Sequence, residues 1–103
     1  MEITMTFKHL DSTEAIKMFA QEKTKRLARY FQGRVSITWS FSVEKQGQIA
    51  HVHLVGNHMD YFGEAATENL YRSIEGALTK IERQLKRHKE KTTNHLHLHQ
   101  AAS

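Results

Sequence analysis

Val35-Ser36-Ile37-Thr38-Trp39-Ser40-Phe41-Ser42-Val43 alternates apolar and small polar side chains without a break. Successive side chains of an extended strand point to opposite faces. The stretch therefore predicts a strand with Val35, Ile37, Trp39, Phe41 and Val43 packed, and with Arg34, Ser36, Thr38, Ser40, Ser42 and Glu44 in water. A sheet with one apolar face needs a second layer to cover it. The rest of the chain has to supply both the partner strands and that cover.

Downstream, Gln46-Gly47 turns the chain, and Ala50, Val52 and Leu54 alternate with His51 and His53. Gly56-Asn57 is a second hairpin signal, and a weaker strand follows over about 59–65, interrupted by Gly63. Upstream, Ile3, Met5 and Phe7 share one face of a first strand. Between the first two strands, Ile16, Phe19, Ala20, Leu27, Tyr30 and Phe31 recur at helical spacing, which predicts an amphipathic helix of about five turns. Asp11 is its expected N-cap, Glu14 its capping-box partner and Gly33 its stop. The last helix is expected from an N-cap at Thr67, with Glu68 in the first turn. Leu70, Ile74, Ala77, Leu78, Ile81 and Leu85 run along one face to about His88. Gly76 inside it points to close packing.

The order is β-α-β-β-β-α. The economical arrangement is an α+β fold, a four-stranded mixed sheet with both helices packed on its apolar face. The first two strands, joined through a helix, pair in parallel by a right-handed crossover, and the others form an antiparallel meander. One domain spans residues 1–92, and residues 93–103 form a flexible, His-rich tail.

Composition narrows the function. The 103 residues are 39% hydrophobic and 25% charged, as in an ordinary globular domain. There is no cysteine, which excludes disulfide frameworks, zinc knuckles and thiol catalysis. No apolar run approaches the roughly 20 residues of a membrane span, and no signal-peptide core is present, so a cytoplasmic protein with no membrane partner is expected. The formal net charge of +4 is unevenly placed. Residues 80–91 carry six basic and two acidic side chains, while residues 1–79 carry nine of each.

No catalytic constellation stands out, and the reading is of a protein that is not an enzyme. The five glycines are scattered, so no phosphate loop forms, and no serine sits in a nucleophile elbow. His51 and His53 could chelate from one strand face, and His95, His97 and His99 from the tail, but a fixed third ligand is missing. No metal and no cofactor are expected. Trp39 and Phe41 raise base stacking, but they share a face with Val35, Ile37 and Val43 and belong to the core. The basic helices carry more. Lys80, Arg83, Gln84, Arg87 and Lys91 fall along one flank of the last helix, while Lys86 and Lys89 project elsewhere. Lys23 with Arg26, and Lys25 with Arg29, are adjacent on the first helix. Two basic helix surfaces on one side of a sheet could cradle a phosphate backbone.

The run from Ala65 to Gly76, AATENLYRSIEG, followed by KIERQLKRHKEK from Lys80 to Lys91, resembles the ribosome hibernation-promoting factor and ribosome-associated inhibitor family. Glu14-Ala15-Ile16, Lys23, Arg26-Leu27 and Tyr30-Phe31 match its first helix, and Val43-Glu44-Lys45 the end of its second strand. The resemblance covers about residues 1–92. Lys25 and Arg29 fall at positions that are not regularly basic in the family, and residues 59–63 match poorly.

This resemblance implies the same β-α-β-β-β-α fold, related to double-stranded-RNA-binding domains. It implies a stress and stationary-phase factor that regulates translation from the decoding channel of the small ribosomal subunit, contacting ribosomal RNA and blocking mRNA and tRNA. The RNA-binding set carried over is Lys23, Arg26, Lys80, Arg83, Lys86, Arg87, His88, Lys89 and Lys91. The short, acid-free tail resembles the short hibernation-promoting type, which pairs ribosomes together with a separate modulation factor. The protein alone is expected to be a monomer off the ribosome. Two other readings compete: a double-stranded-RNA-binding module acting off the ribosome, and a metal-dependent hydrolase built on His51 and His53.

Overall fold

The computed structural model describes the backbone of residues 1–102 and the side chains of residues 1–91. The alternating stretch forms β2, Ser36–Glu44, flanked by β1, Glu2–Lys8, and by β3, Gly47–Gly56, with β4, Met59–Thr67, beyond it. The sheet order is β1-β2-β3-β4, parallel between β1 and β2 and antiparallel elsewhere, as expected. Two helices lie on the apolar face: α1, Glu14–Thr24, which runs into a 3-10 helix at Lys25–Tyr30, and α2, Leu70–Ala102. Among the described residues the apolar seam of α2 runs to Leu85, and its backbone is helical to Ala102, with no glycine or proline after Gly76 to break it. The expected flexible, His-rich tail at 93–103 falls on side chains outside the described residues.

Three rows of side chains cross the inner face of the sheet: Ile3, Ile37, Leu54 and Tyr61; Met5, Trp39, Val52 and Gly63; Phe7, Phe41, Ala50 and Ala65. Trp39 and Phe41 are buried and stacked, with centroids 5.5 Å apart. They are core, so the stacking reading fails on burial. The second and third rows taper from large to small toward β4, and there α2 comes closest. A methyl group on Gly63 would lie 2.5 Å from the Ala77 carbonyl oxygen, and one on Gly76 would lie 2.9 Å from Ala65 Cβ. Gly63 weakens the strand pattern and Gly76 the helix pattern because the two elements meet there.

Several local expectations differ. Thr13 caps α1 in place of Asp11: its hydroxyl accepts from the Ile16 amide at 3.2 Å and its carbonyl from Lys17. Asn69 caps α2 in place of Thr67, its Oδ1 accepting from the Tyr71 amide at 2.8 Å, so Glu68 lies outside the first turn. Thr67 is instead the last residue of β4. The five-turn first helix breaks at Thr24, whose buried hydroxyl bonds back to the Ala20 carbonyl; such back-bonding bends helices. The second hairpin turns one residue later than the glycine signal. Gly56 pairs with Met59, leaving Asn57 and His58 as the two loop residues, both with positive φ as a type I′ turn requires. Val43 is 41% exposed despite its place in the alternation, since it sits beyond the cover of the helices opposite Gln48.

Two substitutions test this packing by urea unfolding. Phe41→Ala is expected to cost about 3–5 kcal/mol, against less than 1 kcal/mol for an open stacking face. Gly63→Ala is expected to cost about 1–3 kcal/mol by pushing α2 off the sheet.

Candidate nucleic-acid interface

The buried seam of α2 divides its charged residues into two flanks. On the flank beside β4, Lys80 Nζ donates to the Glu64 carbonyl and Gln84 Nε2 to the Phe62 carbonyl, at 2.5 and 2.6 Å. Arg83, Arg87 and Lys91 continue that row, exposed and without an ion pair or hydrogen bond to another described residue. Lys86, on the helix back, is likewise exposed and unpaired. Between the lower end of this row and β4 lies an open groove of about 520 Å³, lined by Tyr61, Gln84, Arg87, His88, Glu90 and Lys91. The Tyr61 hydroxyl sits 3.0 Å from His88 Nδ1 at its edge.

The opposite flank behaves differently. Glu75 and Glu82, two turns apart, face the first helix. Arg26 reaches from the 3-10 segment to both: Nη1 lies 3.1 Å from Glu75 and Nη2 lies 2.9 Å from Glu82. Lys23 adds a 3.5 Å contact to Glu75, and the Tyr30 hydroxyl donates to Glu82 at 3.3 Å. Arg26 Nε is buried with no partner among the described residues. Lys89 donates to the Arg29 carbonyl at 3.1 Å. Lys23 and Arg26 thus hold the first helix against α2.

Of the nine residues expected at the interface, Arg83, Lys86, Arg87 and Lys91 present uncommitted cations. Lys80 and Lys89 are half-committed to backbone carbonyls, His88 meets Tyr61, and Lys23 and Arg26 are ion-paired. The clamp was hidden in plain spacing: Glu75 and Glu82 are seven apart, hence on one flank, and Lys23 and Arg26 are three apart. Tyr61 and the groove had no such signal, because they depend on how close β4 lies to α2.

The outer sheet face differs in kind. Phe62 is 60% exposed and stacked on His51 at 5.8 Å, and His53 Nε2 lies 2.6 Å from Asp60. Among the described residues no three His, Asp or Glu side chains are placed to hold a metal. The tail histidines lie outside the described residues.

A β-α-β-β-β-α domain whose described residues leave the back of the sheet uncovered and set a row of free cations along the last helix is a small α+β binding module. The chain matches the family described as Sigma 54 modulation protein / S30EA ribosomal protein over residues 3–93, and it belongs to that family. It is 30% identical over 95 residues to the ribosome hibernation promoting factor of Salmonella typhimurium, covering 92% of this chain and all of that one. It is 32% identical over 91 residues to the factor of the same name from Azotobacter vinelandii, covering 88% and 85% of the two chains. The crystal structure of the Thermus thermophilus Protein Y N-terminal domain superposes with a TM-score of 0.79 at 26% identity, covering 84% of this chain and 98% of that one. A ribosomal subunit interface protein from Coxiella burnetii has the same fold, with a TM-score of 0.76 at 21% identity, covering 87% and 99%.

The clamp gives a stability contrast that calorimetry or urea unfolding can read. Arg26→Ala removes both ion pairs, leaving Glu75 to Lys23 and Glu82 to the Tyr30 hydroxyl, and is expected to cost about 1–2 kcal/mol. Arg83→Ala, on the free flank, is expected to stay within about 0.5 kcal/mol of the parent.

Proposed function

We propose that this protein is a cytoplasmic ribosome-binding inhibitor of translation, a hibernation factor of stress and stationary phase. It seats the cationic flank of α2 on ribosomal RNA in the decoding channel of the small subunit and so blocks mRNA and tRNA. Its family membership and the names of its relatives support the ribosome as partner. The observation that carries the reading is the row Arg83, Arg87 and Lys91, with Lys86 beside it, exposed and unpaired among the described residues of α2. Unpaired surface cations bind phosphates without first breaking protein contacts, and each phosphate neutralised releases condensed counterions. Lys80 and His88 adjoin the row, Lys89 lies on the opposite flank of the helix, and each can exchange its present contact for a phosphate oxygen. Lys23 and Arg26 contribute mainly by fixing the helix that carries it. Pairing of ribosomes, with a separate modulation factor, is a further step of the same role.

The competing reading is a double-stranded-RNA-binding module acting off the ribosome, which the fold and the charge row would also serve. The hydrolase reading has no third ligand for His51 and His53 among the described residues.

Changing Arg83, Arg87 and Lys91 together to alanine separates these. Stability is expected to hold, since exposed changes usually stay within about 0.5 kcal/mol. Co-sedimentation with small subunits is expected to fall sharply, its salt dependence to shallow by about two to three units, and inhibition of in-vitro translation to weaken in parallel. Replacing Glu2, Thr4 and Ser36 on the sheet back is expected to change little. Normal ribosome binding by the helix variant would place the interface elsewhere, and equal affinity of the parent for free duplex RNA and for subunits would favour the off-ribosome module.

A further inference from the structure

The two edges of the sheet are finished differently. On β4, the edge carbonyls of Phe62 and Glu64 are taken by Gln84 and Lys80 of α2. On β1 nothing comparable happens. The Glu2 amide donates to the Val35 carbonyl at 3.0 Å, so Glu2, Thr4, Thr6 and Lys8 turn their backbone groups toward β2. Alternation leaves the N–H and C=O groups of Ile3, Met5 and Phe7 facing outward, and no other element hydrogen-bonds to them among the described residues. An uncovered edge of this kind is a template for another strand.

The sequence of that edge is chemically palindromic: Glu2-Ile3-Thr4-Met5-Thr6-Phe7-Lys8. Laid antiparallel on a second copy of itself about Met5, it sets Met5 against Met5, Ile3 against Phe7, Thr4 against Thr6 and Glu2 against Lys8. The outward-facing residues Ile3, Met5 and Phe7 fall in the hydrogen-bonded pairs of that register. The threonine and charged pairs fall in the closer, non-hydrogen-bonded ones, where opposite charges and Thr–Thr pairs are favourable. A shift by one residue turns the apolar set to the wet face, and a shift by two loses both ion pairs. Parallel pairing would bring like charges together.

Apolar surface points to the same occupant. Ile3, Met5 and Phe7 are only half-buried on the helix side of the sheet, and Met1 and Met18 are 45% and 58% exposed beside them. Between β1 and α1 lies a groove of about 340 Å³ lined by Met1, Ile3, Met18, Gln21, Glu22 and Lys25. A second β1 would continue the sheet along this groove and bring its own Ile3, Met5 and Phe7 to the same side.

We propose that two copies of this chain associate through β1 edges, antiparallel about Met5, into a continuous eight-stranded sheet. The monomer expected from the sequence is then the dilute form. One strand edge and its flanking methionines make a small contact, of the weak and transient class.

Sedimentation equilibrium of the full chain, from micromolar to millimolar concentration at low salt, tests this. A monomer–dimer equilibrium is expected. Glu2→Lys and Lys8→Glu are each expected to weaken it about tenfold, and the two together to restore it to within about threefold of the parent. Amide exchange gives a variant-free readout: Ile3, Met5 and Phe7 are expected to become protected as concentration rises, whereas Thr4 and Thr6 are protected throughout. A chain that stays monomeric at millimolar concentration overturns the proposal. So does a dimer indifferent to either single reversal, a double reversal that folds and fails to restore it, or protection that does not rise at Ile3, Met5 and Phe7. None of these outcomes touches the ribosome reading, which rests on α2.

Discussion

Trp39 sits at the middle of the sheet, fully buried, with one polar atom that has to find an acceptor. Leaving an indole N–H unpaired in a dry core costs about 1–3 kcal/mol, so its partner must be placed with care. That partner is Thr24: Nε1 donates to the threonine Oγ1 at 2.9 Å, and the same hydroxyl donates to the Ala20 carbonyl. The bond fixes where the first helix crosses the sheet. It also fixes where that helix ends, because Thr24 is the last residue of regular α-helix before the 3-10 segment.

The consequences run outward from there. The tighter winding after Thr24 carries Arg26 to the side of α2, between Glu75 and Glu82. The two carboxylates engage Lys23 and Arg26 of the first helix, so the inner flank of α2 is a structural surface. The outer flank keeps its cations. A helix that is basic nearly all round in sequence is thereby sorted into a side that holds the fold together and a side that can meet phosphate. On β4, Gly63 and Ala65 let α2 lie close enough for Lys80 and Gln84 to reach the strand edge, which orients the free row below them.

Much of this was readable in the chain. The β2 alternation, the order of elements, the parallel β1–β2 pair and the face covered by the helices follow from periodicities that only burial can produce. The caps were missed by two residues at each helix because Asp11, Thr13, Thr67 and Asn69 are all competent caps. The choice among them is made by where the preceding strand releases the chain. Val43 continued the pattern but outran the helices that would bury it. Arg26 carried a family role and a charge that both point to RNA; the spacing of Glu75 and Glu82 offered it two partners on one flank, and only the 3-10 turn shows that it points toward them. Gly63 and Gly76 looked like flaws in a strand and a helix; side by side they are one contact.

The central claim is that the β4-side flank of α2, and not the back of the sheet, faces ribosomal RNA. The absence of native cysteine makes a direct test clean. An iron–EDTA cleavage reagent tethered at Glu90→Cys on α2, or at Thr38→Cys on the sheet back, reports which rRNA lies near each position when the protein is bound to small subunits. The account predicts cuts clustered in decoding-channel RNA from the α2 position and weak or no cuts there from the sheet. Decoding-channel cuts from Thr38→Cys with none from Glu90→Cys would contradict it.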